Sequence, residues 1–154
     1  MILVVHTFTF HGMVAHSRWT CHLAEEFGHA DITGQVAELV RESGVRDGVA
    51  VVALVGSTGA VTTLEYESGA LSDLRAALDR IAPVDAHYEH NARWRDGNGF
   101  SHVRSALLKT SISIPIVDGR LQLGVWQQII VINLDNRPRS REVVATVIGE
   151  HLSS

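Results

Sequence analysis

The polar segment between residues 88 and 102 holds the side chains best suited to chemistry. It contains two histidines, a carboxylate and two amides, namely His90, Asn91, Asp96, Asn98 and His102. Gly97 and Gly99 permit backbone angles that other residues avoid, so we expect these side chains to converge on one point. Imidazole and carboxylate groups serve either as metal ligands or as an acid–base pair. The alternative is that the polar groups only hydrogen-bond the loop to itself.

A second polar segment is the turn Gly56-Ser57-Thr58-Gly59, which follows a short apolar run. A turn at the end of a buried strand presents backbone N–H groups, and together with Ser57 and Thr58 these suit a phosphate group. The turn lacks the lysine of a P-loop and the spacing of a dinucleotide fingerprint. A plain tight turn is therefore the competing interpretation.

Three charged side chains outside these segments complete the candidate set. Glu65 lies in an apolar strand pattern, where it serves as a general base or metal ligand, or else as a solvated edge residue. Arg139 and Arg141 lie on one side of an extended segment, and the guanidinium group suits phosphate or carboxylate. Surface ion pairing is their alternative role. Residues 87–141 carry eight basic and four acidic side chains, which also favours an anionic ligand.

The spacing of apolar residues predicts the strands that must position these groups. Alternation, or in one case a continuous apolar run, predicts strands at 4–11, 49–55, 61–66, 111–116, 121–134 and 143–148. We expect the strand at 49–55 to be buried on both faces, and the pattern at 13–27 predicts no element. Asp118-Gly119 predicts a hairpin turn. The order of elements is that of an α+β protein with a largely antiparallel sheet.

Helical spacing predicts two main amphipathic helices and one short helix. The first main helix lies between Thr33 and Gly44, and the second ends before Pro83. Each presents one apolar face, formed by Val36, Leu39 and Val40 in the first helix and by Leu71, Leu74, Leu78 and Ile81 in the second. The short helix is predicted to start at Ser101. We expect the polar segment of residues 88–102 to join the end of a strand to this helix.

Composition limits the fold and the partners. The chain has 154 residues, which predicts one domain over 1–154. One cysteine excludes an intrachain disulfide and cysteine-rich metal sites, whereas nine histidines keep histidine chemistry open. A net charge of −4 argues against nucleic acid as a partner. The longest apolar run has seven residues, too few to span a bilayer, so we expect a cytoplasmic protein without a membrane partner.

Spaced motifs occur in one order along the chain, namely Ser57-Thr58-Gly59-Ala60, Glu65-Tyr66-Glu67, Tyr88-Glu89-His90-Asn91, Asp96-Gly97-Asn98-Gly99-Phe100-Ser101-His102, Pro115 with Asp118-Gly119-Arg120-Leu121, Leu123-Gly124-Val125-Trp126-Gln127 and Asn136-Arg137-Pro138-Arg139-Ser140-Arg141. Together they resemble the YjbQ-like family, often labelled secondary thiamine-phosphate synthase. Several motifs in one order are far more specific than any single one. The resemblance covers 31–149, and 13–27 is longer than the connection usual in the family.

The resemblance implies an α+β fold dominated by an antiparallel β-sandwich and assembled as a homotrimer. It also implies a polar pocket that binds a divalent metal, zinc or magnesium, through His90 and His102. The implied activity joins a pyrimidine diphosphate to a thiazole phosphate with release of pyrophosphate. Many members carry a histidine where this chain has Gly56, so at most two of three metal-binding histidines remain here.

Two functions from different classes follow from these residues. In the first, the protein is an enzyme for a small phosphorylated substrate, and its acid–base or metal chemistry comes from Glu65, His90, Asp96 and His102. The ligand would then be held by Ser57, Thr58, Asn91, Asn98, Arg139 and Arg141. In the second, a trimer binds a metabolite or metal without catalysis, and Trp126 and Gln127 form part of the pocket wall. A Glu65 carboxylate that faces the histidines would favour the enzyme.

Overall fold

The computed structural model describes residues 12–151, and the strand predicted at 4–11 lies outside the described residues. The elements in chain order are β1 (Gly12–Leu23), β2 (His29–Asp31), α1 (Thr33–Ser43), β3 (Val45–Val55), β4 (Gly59–Leu64), α2 (Ser68–Ile81), α3 (Glu89–Trp94), α4 (Gly99–Leu108), β5 (Ser111–Val117), β6 (Arg120–Leu121), β7 (Gln128–Asn133) and β8 (Arg139–His151). Over residues 12–151, no helix is long and apolar enough to cross a membrane.

The described strands form two antiparallel sheets. Five strands lie in the order β1-β8-β3-β5-β6, and three lie in the order β2-β7-β4. Every neighbouring pair runs antiparallel, including the long pairs β1–β8 and β3–β8. The prediction of an α+β fold with largely antiparallel strands is confirmed.

The two sheets share one hydrophobic core, which makes the fold a sandwich. Val143, Ala145 and Val147 of β8 are fully buried and belong to the same cluster as Ile129 and Val131 of β7. Alternate residues of a strand point to opposite faces, so these positions are the inner faces of the two sheets. The apolar face predicted for α1 also packs into this cluster.

The three-stranded sheet is buried on both faces. Ile130 and Ile132 point away from the sandwich core and pack with Leu71 and Leu78 of α2. The helix therefore covers the outer face of this sheet, and β7 reads as a continuous apolar run, as expected for a strand without a solvent face. The spacing of these leucines predicts the second amphipathic helix, and they form its buried face.

The prediction that 49–55 is buried on both faces is wrong. Ala50, Val52 and Leu54 of β3 are buried, whereas Val55 is 57% exposed and the residues between them are only half-buried. An apolar run does not reveal whether one or two layers cover a strand. In this fold the doubly covered strand is β7.

The apolar pattern predicts no element at 13–27, but most of the long strand β1 lies there. Its exposure alternates along the strand, with Ala15 and Trp19 packed toward the core and Val14 exposed. The apolar pattern misses the alternation because Val14 lies on the solvent face while Ser17 lies on the inner face. Pairing with β8 over the full length of β1 decides the structure of this segment.

The strand predicted from residue 121 to residue 134 is interrupted. β6 ends at Leu121 and β7 begins at Gln128. The Gln127 N–H donates to the Gly124 carbonyl at 2.9 Å, and the Gly124 N–H donates to the Gln127 side-chain oxygen at 3.0 Å. These two hydrogen bonds close a tight turn where the alternation predicted extended chain.

Candidate functional site

Helices α3 and α4 bring the two predicted histidines together. The ring centroids of His90 and His102 lie 4.4 Å apart, with the ring planes tilted by 37°. The Asn91 side-chain oxygen accepts a hydrogen bond from the Gly99 N–H at 2.8 Å, which fixes the start of α4 against α3. A Cβ on Gly99 would lie 2.5 Å from the Tyr88 Cβ, so only glycine allows this approach. The element directly before the polar segment is α2 and the segment itself contains α3, so the prediction that it joins the end of a strand to the short helix is wrong.

Asp96 and Asn98 lie beside His90. The nearest carboxylate oxygen of Asp96 is 3.4 Å from His90 Nδ1, too far for a good hydrogen bond, and this nitrogen is buried without a hydrogen-bond partner. With its amide nitrogen toward Asp96, Asn98 donates to both carboxylate oxygens, at 3.1 and 3.2 Å. The Asn136 amide donates to the Asp96 carbonyl at 2.9 Å and ties this loop to the segment before β8.

His102 is kept neutral by its surroundings. Burial lowers the pKa of His102, and the neighbouring His90 lowers this pKa further. The charges of Asp96 and Asp135 and a hydrogen bond to the Ser57 backbone act in the opposite direction without cancelling the shift. A histidine with a lowered pKa carries a free lone pair at neutral pH and can accept a proton.

His102 faces a surface depression of about 410 Å³ between the turn after β3 and the end of α4. The residues around it are Gly56, Ser57, His102, Ser105, Ala106, Lys109 and Thr110. Lys109 brings a positive charge to a pocket that also holds a neutral imidazole. Positive charge beside a proton acceptor suits an anionic ligand that carries an exchangeable proton.

Beneath this depression a buried carboxylate organises the turn. Thr58 Oγ1 donates to Asp135 Oδ2 at 2.9 Å, and Arg139 Nε donates to the same oxygen at 2.8 Å. Burial raises the pKa of Asp135, but the hydrogen bonds from Thr58 and Arg139 and the charges of Arg139 and Arg141 outweigh it, and the net shift is downward. The other oxygen, Asp135 Oδ1, is buried without a hydrogen-bond partner.

The two arginines predicted to hold phosphate differ in exposure. The Arg141 guanidinium is almost fully buried and donates to the Thr58 carbonyl at 2.6 Å and to the Thr58 hydroxyl at 3.0 Å. It also donates to the Asn133 side-chain oxygen. The Arg139 side chain keeps 34% of its surface exposed beside Asp135. Arg141 therefore positions the turn, and Arg139 is the arginine that solvent reaches.

Glu65, Trp126 and Gln127 lie at the opposite end of β4 from the histidines. Gly59 follows the Ser57-Thr58 turn, and the six residues of β4 extend on the order of 20 Å before Glu65. The Gln127 amide donates to Thr63 Oγ1 at 2.9 Å near that far end, and Trp126 is 71% exposed. The structure thus gathers Ser57, Thr58, His90, Asn91, Asp96, Asn98, His102, Arg139 and Arg141 at one end and separates the other three predicted residues from them.

Among the described residues, the donors at this end do not complete a resident zinc site. A zinc site uses at least three protein ligands, and residues 12–151 contain no group of three histidine, cysteine, aspartate or glutamate side chains arranged to hold one. Gly56 lies in the same depression as His102 but has no side chain to offer.

Asp135 and Lys109 belong to the site but were not among the predicted residues. Asp135 follows the buried run of β7, and its spacing of four residues from Arg139 is the one sequence signal that points to their ion pair. Lys109 is the only lysine in the chain and follows α4 with φ +74°. The seven-residue spacing from His102 to Lys109, two turns along α4, is the local signal for their shared face, whereas nothing in the local pattern places Asp135 beside His102.

Known proteins similar to this chain belong to the family that its sequence motifs resemble. A UPF0047 protein of Methanothermobacter thermautotrophicus is 41% identical over 120 residues, which cover 78% of this chain and 82% of that protein. The crystal structure of a YbjQ-like protein of unknown function from Sulfolobus solfataricus has a TM-score of 0.86 at 27% identity, covering 91% of this chain and all of that one.

A second solved structure, an uncharacterised YjbQ/UPF0047 protein from Clostridium acetobutylicum, is 32% identical with a TM-score of 0.78. The aligned region covers 85% of this chain and 98% of the Clostridium acetobutylicum chain. The family profile described as UPF0047 protein YjbQ-like matches residues 18–150. With motifs, sequence identity and fold in agreement, the chain belongs to the YjbQ-like UPF0047 family.

Proposed function

We propose that the protein is an enzyme for a small phosphorylated substrate, with His102 as the acceptor of a proton or a hydrogen bond from that substrate. The observation that carries this proposal is that His102 and Lys109 line one surface depression, where burial lowers the pKa of His102. A general base must be unprotonated at the working pH and must lie within reach of its substrate. His102 meets the first condition through its burial and through the nearby His90.

His90 and Asp96 position His102 rather than act on the substrate. His90 packs its ring against the His102 ring, and Asp96 lies beside the far nitrogen of His90. Asn98 in turn hydrogen-bonds the Asp96 carboxylate. A base held by a chain of oriented groups loses little entropy when it reacts. We infer that α3 serves to keep His102 neutral and fixed.

The phosphate of the substrate would contact Lys109 and Ser57, which line the His102 depression, whereas the exposed part of Arg139 lines a separate depression with His22 and Ser140. Lys109 is exposed, and its backbone N–H donates to the Ser105 carbonyl at 2.9 Å, which fixes the start of the side chain. Ser57 lies in the turn that Arg141 and Thr58 hold in place. Fixed donors around a depression favour an oxyanion over water.

We further propose one specific reaction, which the resemblance of the sequence motifs implies, namely the transfer of a pyrimidine group from its diphosphate to a thiazole phosphate. The bond between the methylene carbon on the pyrimidine and the pyrophosphate oxygen breaks, and the lone pair of the thiazole ring nitrogen forms the new bond to that carbon. No proton leaves in this step, so His102 would serve in it by accepting a hydrogen bond from the substrate. The leaving pyrophosphate takes the electron pair of the broken bond, so a cation near its oxygens lowers the barrier. Lys109 is the side chain suited to that role.

The test is the release of pyrophosphate from the two thiamine precursors, with magnesium, with zinc and without added metal. We expect turnover by the native protein, a loss of about 10²-fold in Lys109→Met, which removes the cation beside the leaving pyrophosphate, and a smaller loss in His102→Gln, which removes a substrate contact. The matched control is His16→Gln, which changes an exposed histidine of β1. Equal rates in His102→Gln and His16→Gln would refute the role of His102.

The second candidate is a protein that binds a metabolite or metal without catalysis. The observation that favours it is the position of Glu65, which lies at the far end of β4 and cannot serve the histidines. A native mass spectrum of the protein purified without chelator tests this candidate. A retained ligand or metal, together with no turnover in the assay above, would replace the enzyme by a binding function.

We also propose the homotrimer that the resemblance implies. Val125 and Trp126 are 85% and 71% exposed side by side in the turn before β7, which is an unusual position for two large apolar residues. The chain has a mass of 16.8 kDa. Light scattering should return about three times that mass, and a monomer mass at micromolar concentration would contradict the trimer.

A further inference from the structure

A second cavity lies on the outer face of the three-stranded sheet, beside the first half of α2. It has a volume of about 440 Å³, and three aromatic rings and three carboxylates line it. The rings are those of Phe27, His29 and Tyr66, and the carboxylates are those of Glu25, Glu26 and Glu67. The function proposed above uses none of these residues.

The three rings form one continuous aromatic wall. His29 meets Phe27 edge-on at 6.2 Å between ring centroids, and it meets Tyr66 edge-on at 5.6 Å. Phe27 is buried at the base of the cavity, whereas Tyr66 remains 41% exposed at its mouth. Aromatic rings attract cations through the negative charge of their faces.

The loop that carries Phe27 is held in place by its own backbone contacts. Phe27 has φ +62°, an angle that a bulky residue adopts only when its surroundings enforce it. Its N–H donates to the Asn133 carbonyl at 2.8 Å, and the Asn133 amide donates to the Glu25 carbonyl at 2.9 Å. The rings are therefore ordered before binding, which lowers the entropy lost when a ligand enters.

The charge of the cavity is negative. Arg75 is the one guanidinium in its lining, so the three carboxylates leave an excess of two negative charges. Glu26 is shared between Arg75, at 3.8 Å, and the buried Arg104, at 3.4 Å. Glu67 accepts hydrogen bonds from the first N–H groups of α2, and Glu25 lies exposed at the rim. Glu25 is the carboxylate most open to a ligand.

The protein already places one cation on this wall. The Arg75 guanidinium carbon lies 5.8 Å from the centroid of the Phe27 ring. His29 Nδ1 lies 2.9 Å from the Phe27 carbonyl, which only accepts, so this nitrogen carries the hydrogen. In the neutral ring, Nε2 is then a hydrogen-bond acceptor. Ring faces, an accepting nitrogen and the free carboxylate of Glu25 all favour a donor with positive charge.

We propose that this cavity binds a small organic cation, a protonated amine on an aromatic or aliphatic body. The ammonium group lies against Tyr66 and Glu25, and the apolar body packs toward Phe27 and Leu71. The inference is independent of the function proposed for His102.

The experiment compares three probes that share a phenyl body, namely 2-phenylethylammonium, 3-phenylpropanol and 3-phenylpropionate. Each is titrated into the full-length protein at low salt and followed by amide NMR shifts and by calorimetry. We expect the cation to bind at least about tenfold more tightly than the anion, with shifts centred on Gly28, Tyr66 and Glu67. Tyr66→Ala and Glu25→Gln should each weaken the cation by about three- to tenfold.

Three controls separate the outcomes. Asp73→Asn removes an exposed carboxylate of α2 outside the cavity lining and should leave binding unchanged. His102→Gln should also leave it unchanged, so this site can fail or succeed without the proposed enzyme. If Tyr66→Ala does not fold, Tyr66→Leu keeps the bulk without the ring face. Equal binding of the three probes, shifts centred outside the cavity, or no binding at millimolar concentration would each overturn the proposal.

Discussion

The Thr58 hydroxyl donates a hydrogen bond to the buried carboxylate of Asp135 at 2.9 Å, across 77 positions of the chain. Thr58 lies in the turn before β4, and Asp135 follows β7, so the bond joins the matching ends of two paired strands. Arg141 then donates to the same threonine from β8. The Thr58 contact therefore connects the buried Asp135 and Arg141 side chains to the turn that borders the His102 depression.

Replacement of Thr58 by valine keeps the shape and removes the hydroxyl. We expect Thr58→Val to lower the free energy of unfolding by about 1–3 kcal/mol, because Asp135 and Arg141 each lose a buried partner. Urea unfolding measures the change, and Thr20→Val on the exposed face of β1 is the control. Equal stability of the two variants would show that the bond is not needed.

The stability that Asp135 contributes depends on pH. The pKa of Asp135 is lowered in the folded protein, so its ionised form favours folding above the unfolded value near 4. That contribution is lost as the pH falls through the lower folded pKa. Asp135→Asn should cost about 3–5 kcal/mol at pH 7, because a buried arginine loses its counter-charge, and the cost should shrink in acid. Denaturant unfolding of both proteins between pH 2 and 7 measures it, and a pH-independent difference would contradict the assignment.

The pKa of His102 should depend on the two residues beside it, His90 and Asp96. Burial and His90 lower the pKa of His102, so NMR titration should place the midpoint of His102 below the ordinary value near 6.5. His90→Gln removes one cause and should raise that midpoint. Asp96→Asn removes a charge that favours the protonated ring and should lower it. Shifts in the same direction for both variants would contradict this account.

Gly99 and Gly34 give a matched pair of glycine substitutions. A Cβ on Gly99 would lie 2.5 Å from Tyr88 Cβ, whereas one on Gly34 in α1 would meet nothing within 4 Å. Gly99→Ala should destabilise the protein by about 1–3 kcal/mol and perturb the His90–His102 pair. Gly34→Ala should be neutral or stabilise it by up to about 1 kcal/mol. Thermal unfolding decides, and the opposite order of melting temperatures would refute the close contact.

The sequence by itself determined the features that depend on residues close together in the chain, such as helix ends and strand alternation. Gly44 ends α1 with φ +66° because a left-handed angle closes a helix most easily at glycine. Pro83 follows the end of α2, and the alternation of residues 111–116 forms most of β5. His90 and His102 come together because α3 carries the first, α4 carries the second, and the chain turns between these helices near Gly97 and Gly99. The ordered motifs also identified the family, since their joint spacing is rarely met by chance.

Only the tertiary structure decided what depends on pairing between distant strands. β1 is a strand because it pairs with β8, although its own pattern is obscured by Val14 and Ser17. Glu65 matched a motif but lies at the wrong end of β4, because the motif order does not fix which end of a strand faces the site. Asp135 belongs to the site because Thr58 and Arg139 donate hydrogen bonds to it. The register of the strands brings these three residues together. Local pattern reports periodicity along one segment, whereas the site is made where segments far apart in the chain meet.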